Sequence, residues 1–158
     1  MGDKVIFIDD DESLLSLYKT TLPPKYQYQM LSDASIIPMH EDYQVLTCNN
    51  GVDSIKIIQS YLTKDDPIAL AFVDYRFDRG INGATIAELI REIDPDIEIV
   101  FATSCNRVEL IENISKKING QVVYFRKPFN VTDLSSMISK MLIRYHNKKK
   151  NRVTEVAS

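Results

Sequence analysis

The amino-acid sequence predicts a doubly wound α/β domain, in which a parallel β-sheet carries helices on both faces. Five short apolar runs alternate with five segments that have the periodicity of amphipathic helices. Four of the runs are almost continuously apolar, which is typical of strands buried on both faces of a parallel sheet. In chain order the runs are VIFI (5–8), YQVLTC (43–48), IALAFV (68–73), IEIVFA (97–102) and VVYF (122–125).

Each predicted helix follows a strand and places its apolar residues mostly three or four positions apart, so that they share one face. These residues are Leu14, Leu15, Tyr18 and Leu22 in the first helix; Val52, Ile55, Ile58 and Leu62 in the second; Ile86, Leu89, Ile90 and Ile93 in the third; Val108, Ile111, Ile114 and Ile118 in the fourth; and Val131, Leu134, Ile138, Met141 and Tyr145 in the last. Asn130 is placed to cap the last helix.

The length of 158 residues suits one domain with a hydrophobic core, which we assign to residues 1–145. Residues 22–42 contain three prolines and little periodicity, so we expect an insertion between the first helix and the second strand. Residues 146–158 are predicted to be a basic linker, or the start of a connection to an effector domain that is absent from this chain.

Composition is that of a soluble globular protein, with 44% apolar and 26% charged residues. No apolar run approaches the ~20 residues that span a membrane, and the N-terminus has no signal-peptide pattern. Cys48 and Cys105 show neither metal-ligand nor disulfide spacing, so we expect a reduced, cytoplasmic setting. Six basic and no acidic residues lie between Lys140 and Arg152. Without interleaved aromatic residues or a DNA-binding motif, this run is expected to be a solvated helix end that does not bind nucleic acid.

Side chains with a carboxylate, a hydroxyl or an ammonium group follow four of the five predicted strands. Asp9 and Asp10 follow the first, Asp74 the third, Thr103 the fourth and, after one further residue, Lys127 the fifth. Ligands of doubly wound sheets bind beyond the carboxyl ends of the strands, so these side chains should converge on one rim. Taken singly, each has an ordinary explanation as a helix cap, a strand-end hydroxyl or a surface lysine. Their joint occurrence at strand ends indicates a functional site.

The chemistry of this set is that of a phosphoryl-transfer site. Three crowded carboxylates raise one another's pKa, and a divalent cation such as Mg²⁺ relieves that conflict. With a cation and a lysine present, one carboxylate can attack a phosphoryl group and form an aspartyl phosphate.

From Lys4 to Tyr145, apart from the insertion, the chain resembles the receiver domains of two-component response regulators. VIFIDDDES resembles the family's first strand with its acidic pair, and AFVDYRF resembles the phosphoacceptor strand. IVFATS and VVYFRKPF resemble the last two strands. The resemblance implies a flavodoxin-like sheet of order 2-1-3-4-5, with Asp74 as the phosphoacceptor.

The resemblance also implies roles for the neighbouring residues. Mg²⁺ would be held by the residues at the family's metal positions, namely Asp9, Asp10, Asp74 and the backbone carbonyl of Arg76. The phosphoryl oxygens would be held by Lys127, Thr103 and the backbone N–H groups of Tyr75 and Ser104. Thr103 and Tyr124 would act as switch residues and repack the face formed by the fourth helix, fifth strand and fifth helix.

The implied partner is a histidine kinase or a phosphotransfer protein, and the face just described is a possible homodimer interface. The implied role is a signalling phosphoacceptor and not an enzyme. The loop before Gly83, the preceding PIALAFVD, the REIDPDIEIVFAT stretch and the long first connection together resemble receivers attached to histidine kinases or diguanylate cyclases in multidomain proteins. Two features depart from the common pattern. Asp78 replaces a frequent proline, and the loop before Gly83 is one residue longer.

Two alternatives remain open at this point. A haloacid-dehalogenase-type phosphohydrolase also places two aspartates after its first strand, separated by one residue, and Asp9 and Asp11 satisfy that pattern. It would leave Asp74 unexplained. The second alternative is a degenerate receiver that acts as a docking module without being phosphorylated.

Overall fold

Five parallel strands form one sheet in the order β2-β1-β3-β4-β5, as predicted. The computed structural model describes residues 2–22, 42–77, 81–104, 114, 116, 118 and 122–157. The strands are β1 (Asp3–Ile8), β2 (Tyr43–Cys48), β3 (Leu70–Asp74), β4 (Glu98–Thr103) and β5 (Val123–Arg126). The chain proceeds from β1 to one side and then returns to the other, so the strand order reverses between β1 and β3. That reversal opens a crevice at the carboxyl ends of these two strands.

The helices that the structure delimits are α1 (Glu12–Thr21), α2 (Gly51–Thr63), α3 (Gly83–Ile93) and the C-terminal helix (Val131–Ala157). Each begins after a polar residue whose side chain accepts a hydrogen bond from a backbone N–H group of the first turn. These capping residues are Asp11, Asn50, Asn82 and Asn130. The predicted cap at Asn130 is therefore confirmed.

Helices cover both faces of the sheet, and alternate residues of each central strand point to opposite faces. In β1, Val5 and Phe7 face α1 and the C-terminal helix, whereas Ile6 and Ile8 face α2 and α3. All four side chains are at most 2% exposed. Burial on both faces explains why the strands are nearly continuous apolar runs in the sequence.

The C-terminal helix does not end at residue 145, where the predicted domain ends. It continues to Ala157 and is 27 residues long, or ~40 Å. It begins beyond the carboxyl end of β5 and runs back to the amino ends of the strands, where Arg144 and Lys148 contact Glu98 at the start of β4. The assignment of residues 146–158 as a connection to another domain remains a prediction.

Parts of the predicted scheme lie outside the described residues, including most of the 22–42 insertion, Asp78 and Cys105. Of the fourth predicted helix, residues 114, 116 and 118 are described. The Ile118 N–H donates to the Ile114 carbonyl at 3.0 Å, a helical spacing, and both side chains are buried. Within the described ranges, no helix is both long enough and apolar enough to cross a membrane.

Candidate functional site

Three carboxylates lie together in the crevice at the carboxyl edge of the sheet. Asp9 and Asp10 follow β1, and Asp74 is the last residue of the adjacent strand β3. One carboxylate oxygen from each lies within 4.8 Å of the others, and Asp10 faces solvent more than the other two. Asp11 does not join this group, because its side chain accepts a hydrogen bond from the Leu14 N–H and caps α1. The convergence predicted from the strand ends is therefore found for all three.

Lys127 brings its ammonium group into this cluster from the loop after β5. Its Nζ lies 2.5 Å from Asp9 Oδ2 and 3.5 Å from Asp74 Oδ1, so one cation is shared between two carboxylates. The Lys127 N–H donates to the Thr103 carbonyl at 2.8 Å, which ties the loop to the end of β4. The Lys127–Pro128 peptide bond is cis.

The acidity of Asp74 reflects this crowding. Burial, together with the negative charges of Asp9 and Asp10, raises the pKa of Asp74 to about 6. The Lys127 ammonium and the Arg76 N–H, which donates to Asp74 Oδ1 at 3.3 Å, act in the opposite direction. Near neutral pH the group therefore holds negative charge that a single ammonium compensates incompletely.

This donor set fits Mg²⁺. The cation prefers oxygen ligands at about 2.0–2.1 Å and is commonly bound by one or two carboxylates plus waters. Asp9, Asp10 and Asp74 present carboxylate oxygens close enough to share one small cation, and the sequence-predicted ligand Arg76 lies on the same loop as Asp74. No Cys or His belongs to this group, so a soft metal is not favoured.

Thr103 and the other predicted phosphate-binding groups lie around the same crevice. Thr103 is buried at the end of β4, one position beyond Ala102, which pairs with Asp74 across the sheet. Ser104 follows and is exposed. The Tyr75 N–H donates to the Ala102 carbonyl at 3.4 Å, which is a long hydrogen bond. The roles assigned to these groups remain predictions.

Tyr124, the predicted switch aromatic, lies on β5 and stacks on Phe101 with a centroid distance of 5.5 Å. Phe101 in turn meets the ring of Tyr75, the residue after Asp74, edge to face at 6.1 Å. A row of three aromatic rings therefore runs from the loop after β3 to β5 on the face that carries α2 and α3. This row connects Tyr75, the residue next to Asp74, with Tyr124 through the ring of Phe101. Movement of Tyr124 remains a prediction.

Gly83 is a site residue whose role the sequence analysis did not identify. It is the first residue of α3, and a Cβ atom there would lie 2.1 Å from the Asp74 carbonyl oxygen and 2.8 Å from the Tyr75 Cα. Only glycine lets α3 begin against the backbone of the Asp74 loop. A glycine after a loop does not by itself indicate a role in the site. The residues that approach Gly83 closely, Asp74 and Tyr75, lie at the end of β3 and not in α3.

Comparisons with known proteins agree with this arrangement. No family model matches the chain. The response regulator receiver protein CpdR of Brucella abortus (strain 2308) is 31% identical over 101 residues, which cover 64% of this chain and 78% of that protein. At this level of identity and coverage, the chain belongs to the response regulator receiver family.

Solved structures show the same fold. The adenylate cyclase from Rhodopirellula baltica matches with a TM-score of 0.77 and 21% identity, covering all of both chains. A CheY-like response regulator receiver domain protein from Methanospirillum hungatei JF-1 matches with a TM-score of 0.70 and 18% identity, covering 94% of this chain and 99% of that one. The receiver domain protein from Clostridium thermocellum gives a TM-score of 0.65 at 21% identity, with 90% and 95% coverage.

Proposed function

We propose that this receiver domain accepts a phosphoryl group on Asp74 in the presence of Mg²⁺. The observation that carries the proposal is the position of the Asp74 carboxylate, which lies 3.5 Å from the Lys127 ammonium and within 4.8 Å of carboxylate oxygens of Asp9 and Asp10. Its environment contains both the positive group that attracts a phosphoryl oxygen and the acidic ligands that attract a cation.

The donor would be a phosphohistidine on a histidine kinase or a phosphotransfer protein. An Asp74 oxygen attacks phosphorus in line, the P–N bond of the phosphohistidine breaks, and the imidazole leaves with the electron pair of that bond. Bound Mg²⁺ supplies positive charge for the carboxylates and for a phosphoryl oxygen. Lys127, Thr103 and the N–H groups of Tyr75 and Ser104 hold the remaining oxygens.

The aspartyl phosphate carries about two negative charges, about one more than the ionised Asp74 carboxylate, and it presents three strong hydrogen-bond acceptors. Thr103 and Tyr124 are the side chains proposed to respond, through the aromatic row of Tyr75, Phe101 and Tyr124. The surface that would change is the one around β5 and the C-terminal helix, which is also the proposed dimer interface. In this role the domain is a cytoplasmic signalling module that turns over only its own phosphoryl group.

Two observations disfavour the phosphohydrolase alternative for this site. The metal-binding group is completed by Asp74 of β3 and not by Asp11, which caps α1. That alternative pairs Asp9 with Asp11 and leaves Asp74 unexplained. The docking-module alternative is decided by the following experiment.

Incubation of the chain with acetyl phosphate and Mg²⁺, followed by intact mass measurement, tests the proposal. We expect one added phosphoryl group, which is lost on chelation of the metal and in Asp74→Asn. The matched control is Asp53→Asn, which removes an exposed carboxylate paired with Lys56 on α2 and should be labelled like the wild type. Absence of any added mass on the wild type, from acetyl phosphate and from histidine kinases alike, would establish the docking module instead.

A further inference from the structure

A second row of aromatic rings approaches the site from the face that carries α1 and the C-terminal helix. Neighbouring ring centroids in it are 4.4–5.9 Å apart, and the row consists of Phe72, Phe7, Tyr18, Phe129 and Phe125. Tyr18 is its central member and packs between Phe7 of β1 and Phe129, which lies two residues after Lys127. The ring of Tyr18 therefore packs against a residue just after the ammonium group's residue in the chain.

The Tyr18 hydroxyl is not explained by this packing. The residue is 4% exposed, its hydroxyl oxygen is buried, and that hydroxyl has no hydrogen-bond partner among the described residues. A buried polar group without a partner is unfavourable, so such groups in native proteins call for an explanation. Phenylalanine would fill the same space in the aromatic row without that cost.

Helix geometry directs the Tyr18 side chain toward the acidic site. Side chains on a helix tilt toward its N-terminus, and α1 begins beside the acidic group, directly after Asp11. After burial, the negative charges of Asp9, Asp74 and Asp11 contribute, in that order, to a raised pKa of the Tyr18 hydroxyl. A phenol is protonated at neutral pH even with its ordinary pKa, so the hydroxyl is available as a hydrogen-bond donor to a carboxylate.

Asp9 is the carboxylate that would need such a donor. Its Oδ1 accepts from the Asp11 N–H at 3.0 Å, whereas its Oδ2 depends on Lys127 at 2.5 Å. Lys127 is shared with Asp74, and a phosphoryl group on Asp74 would draw the ammonium toward its own oxygens. The buried Oδ2 of Asp9 would then lose its short charge-assisted contact with Lys127, which leaves a lone pair open to a donor even when a cation binds the other.

We propose that Tyr18 is a positioning residue of the acidic site, whose hydroxyl donates a hydrogen bond to Asp9 when Lys127 turns to the phosphoryl group on Asp74. The proposal rests on the proposed function of Asp74. It gives the buried hydroxyl a partner in the phosphorylated state and explains why a tyrosine occupies the centre of the aromatic row.

The test uses Tyr18→Phe, which keeps the ring and removes only the hydroxyl. The probe is beryllofluoride, a non-covalent substitute for the phosphoryl group, titrated by calorimetry at saturating Mg²⁺. We expect Tyr18→Phe to weaken beryllofluoride binding about tenfold, the loss of one charge-assisted hydrogen bond. Mg²⁺ affinity without beryllofluoride should stay within about twofold of wild type, because Lys127 still holds Asp9 in that state.

The matched control is Tyr43→Phe. Tyr43 is 5% exposed, belongs to the same core cluster and also buries its hydroxyl, which interacts with Ser135, but it lies at the amino end of β2, away from the acidic site. Equal beryllofluoride affinity in Tyr18→Phe and wild type would overturn the proposal, and so would equal losses in Tyr18→Phe and Tyr43→Phe. Failure of the wild type itself to bind beryllofluoride would instead contradict the function proposed for Asp74.

Discussion

The carboxyl edge and the amino edge of the sheet both bury acidic side chains, and the two edges balance that charge in opposite ways. At the carboxyl edge one cation, Lys127, is shared by the carboxylates of Asp9 and Asp74. At the amino edge one carboxylate, Glu98, is shared by two cations, with Arg144 Nη2 at 2.8 Å and Lys148 Nζ at 2.5 Å. The first arrangement leaves negative charge for a ligand to neutralise, whereas the second pairs its carboxylate with two cations of the protein itself.

The amino-edge pairs also explain the course of the C-terminal helix. Arg144, Lys148 and Arg152 are four residues apart and therefore form one stripe along the helix. The first two contact Glu98, which is fully buried, and Arg152 contacts Asp96 just before β4. On the same helix, His146 Nε2 lies 2.7 Å from Asp3 Oδ2 at the start of β1. Basic residues that the sequence analysis expected to be solvated thus hold the helix against the domain.

Removal of the Glu98 charge should have the largest effect on stability. We expect Glu98→Gln to lower the free energy of unfolding by about 3 kcal/mol, because it leaves Arg144, Lys148 and the nearby buried Arg91 without their shared carboxylate. Urea unfolding at neutral pH measures this loss. Glu92→Gln, which changes an exposed carboxylate on α3, is the matched control. A similar small change in both variants would mean that the amino-edge pairs do not stabilise the fold.

Mg²⁺ should stabilise the protein by acting at the carboxyl edge alone. A cation at a hundredfold excess over its Kd adds about 2.7 kcal/mol to the free energy of unfolding. We expect most of this gain to disappear in Asp10→Asn and to persist in Glu98→Gln. Urea unfolding with and without Mg²⁺ gives both values. Persistence of the full gain in Asp10→Asn would place the cation somewhere other than the acidic group.

Neutralising Asp74 should stabilise the metal-free protein, in contrast to the effect at Glu98. Because the pKa of Asp74 is about 6 when folded and near 3.8 when unfolded, the folded state binds more protons between these values. Stability therefore falls as pH rises from about 4 to 6, and it stays lower above pH 6. We expect Asp74→Asn to recover about 1–2 kcal/mol at pH 7, less than the full shift because the contact with Lys127 is lost too.

Chemical unfolding in the presence of chelator, repeated across pH 4–8, checks whether stability falls with rising pH as expected. The Asp74→Asn variant should show a flatter profile than the wild type between pH 4 and 6, whereas Asp53→Asn should retain the wild-type profile. A steeper profile, or a lower stability of Asp74→Asn at pH 7, would show that Lys127 compensates the carboxylate fully.

The smallest effect is expected for Arg152, whose side chain is 56% exposed. Arg152→Ala should change the free energy of unfolding by less than ~1 kcal/mol, since solvent and salt screen an exposed ion pair. The measurement is urea unfolding at low and high salt, with any loss expected at low salt. A loss as large as that of Glu98→Gln would show that the outer end of the stripe carries the contact between helix and sheet.

Much of the carboxyl edge could be predicted from sequence because each of its residues is placed by a local pattern. Asp9, Asp74 and Thr103 stand at the ends of apolar runs, and parallel strands bring such ends to one edge of the sheet. The fold class and the confirmed cap at Asn130 were predicted on the same local grounds, through burial on both sheet faces and the chemistry of helix starts.

The tertiary structure decided which of these charges meet. Asp9, Asp10 and Asp11 are adjacent in sequence, yet only the first two belong to the acidic group. Asp11 caps α1, and the third carboxylate of the group comes from Asp74 on another strand. In the sequence, Glu98 is a charged residue within an otherwise apolar strand. The tertiary structure explains it, because the C-terminal helix places Arg144 and Lys148 beside its carboxylate. The physical reason is range: strand and helix periodicity is set by neighbouring residues, whereas an ion pair between elements depends on the direction in which one element crosses another.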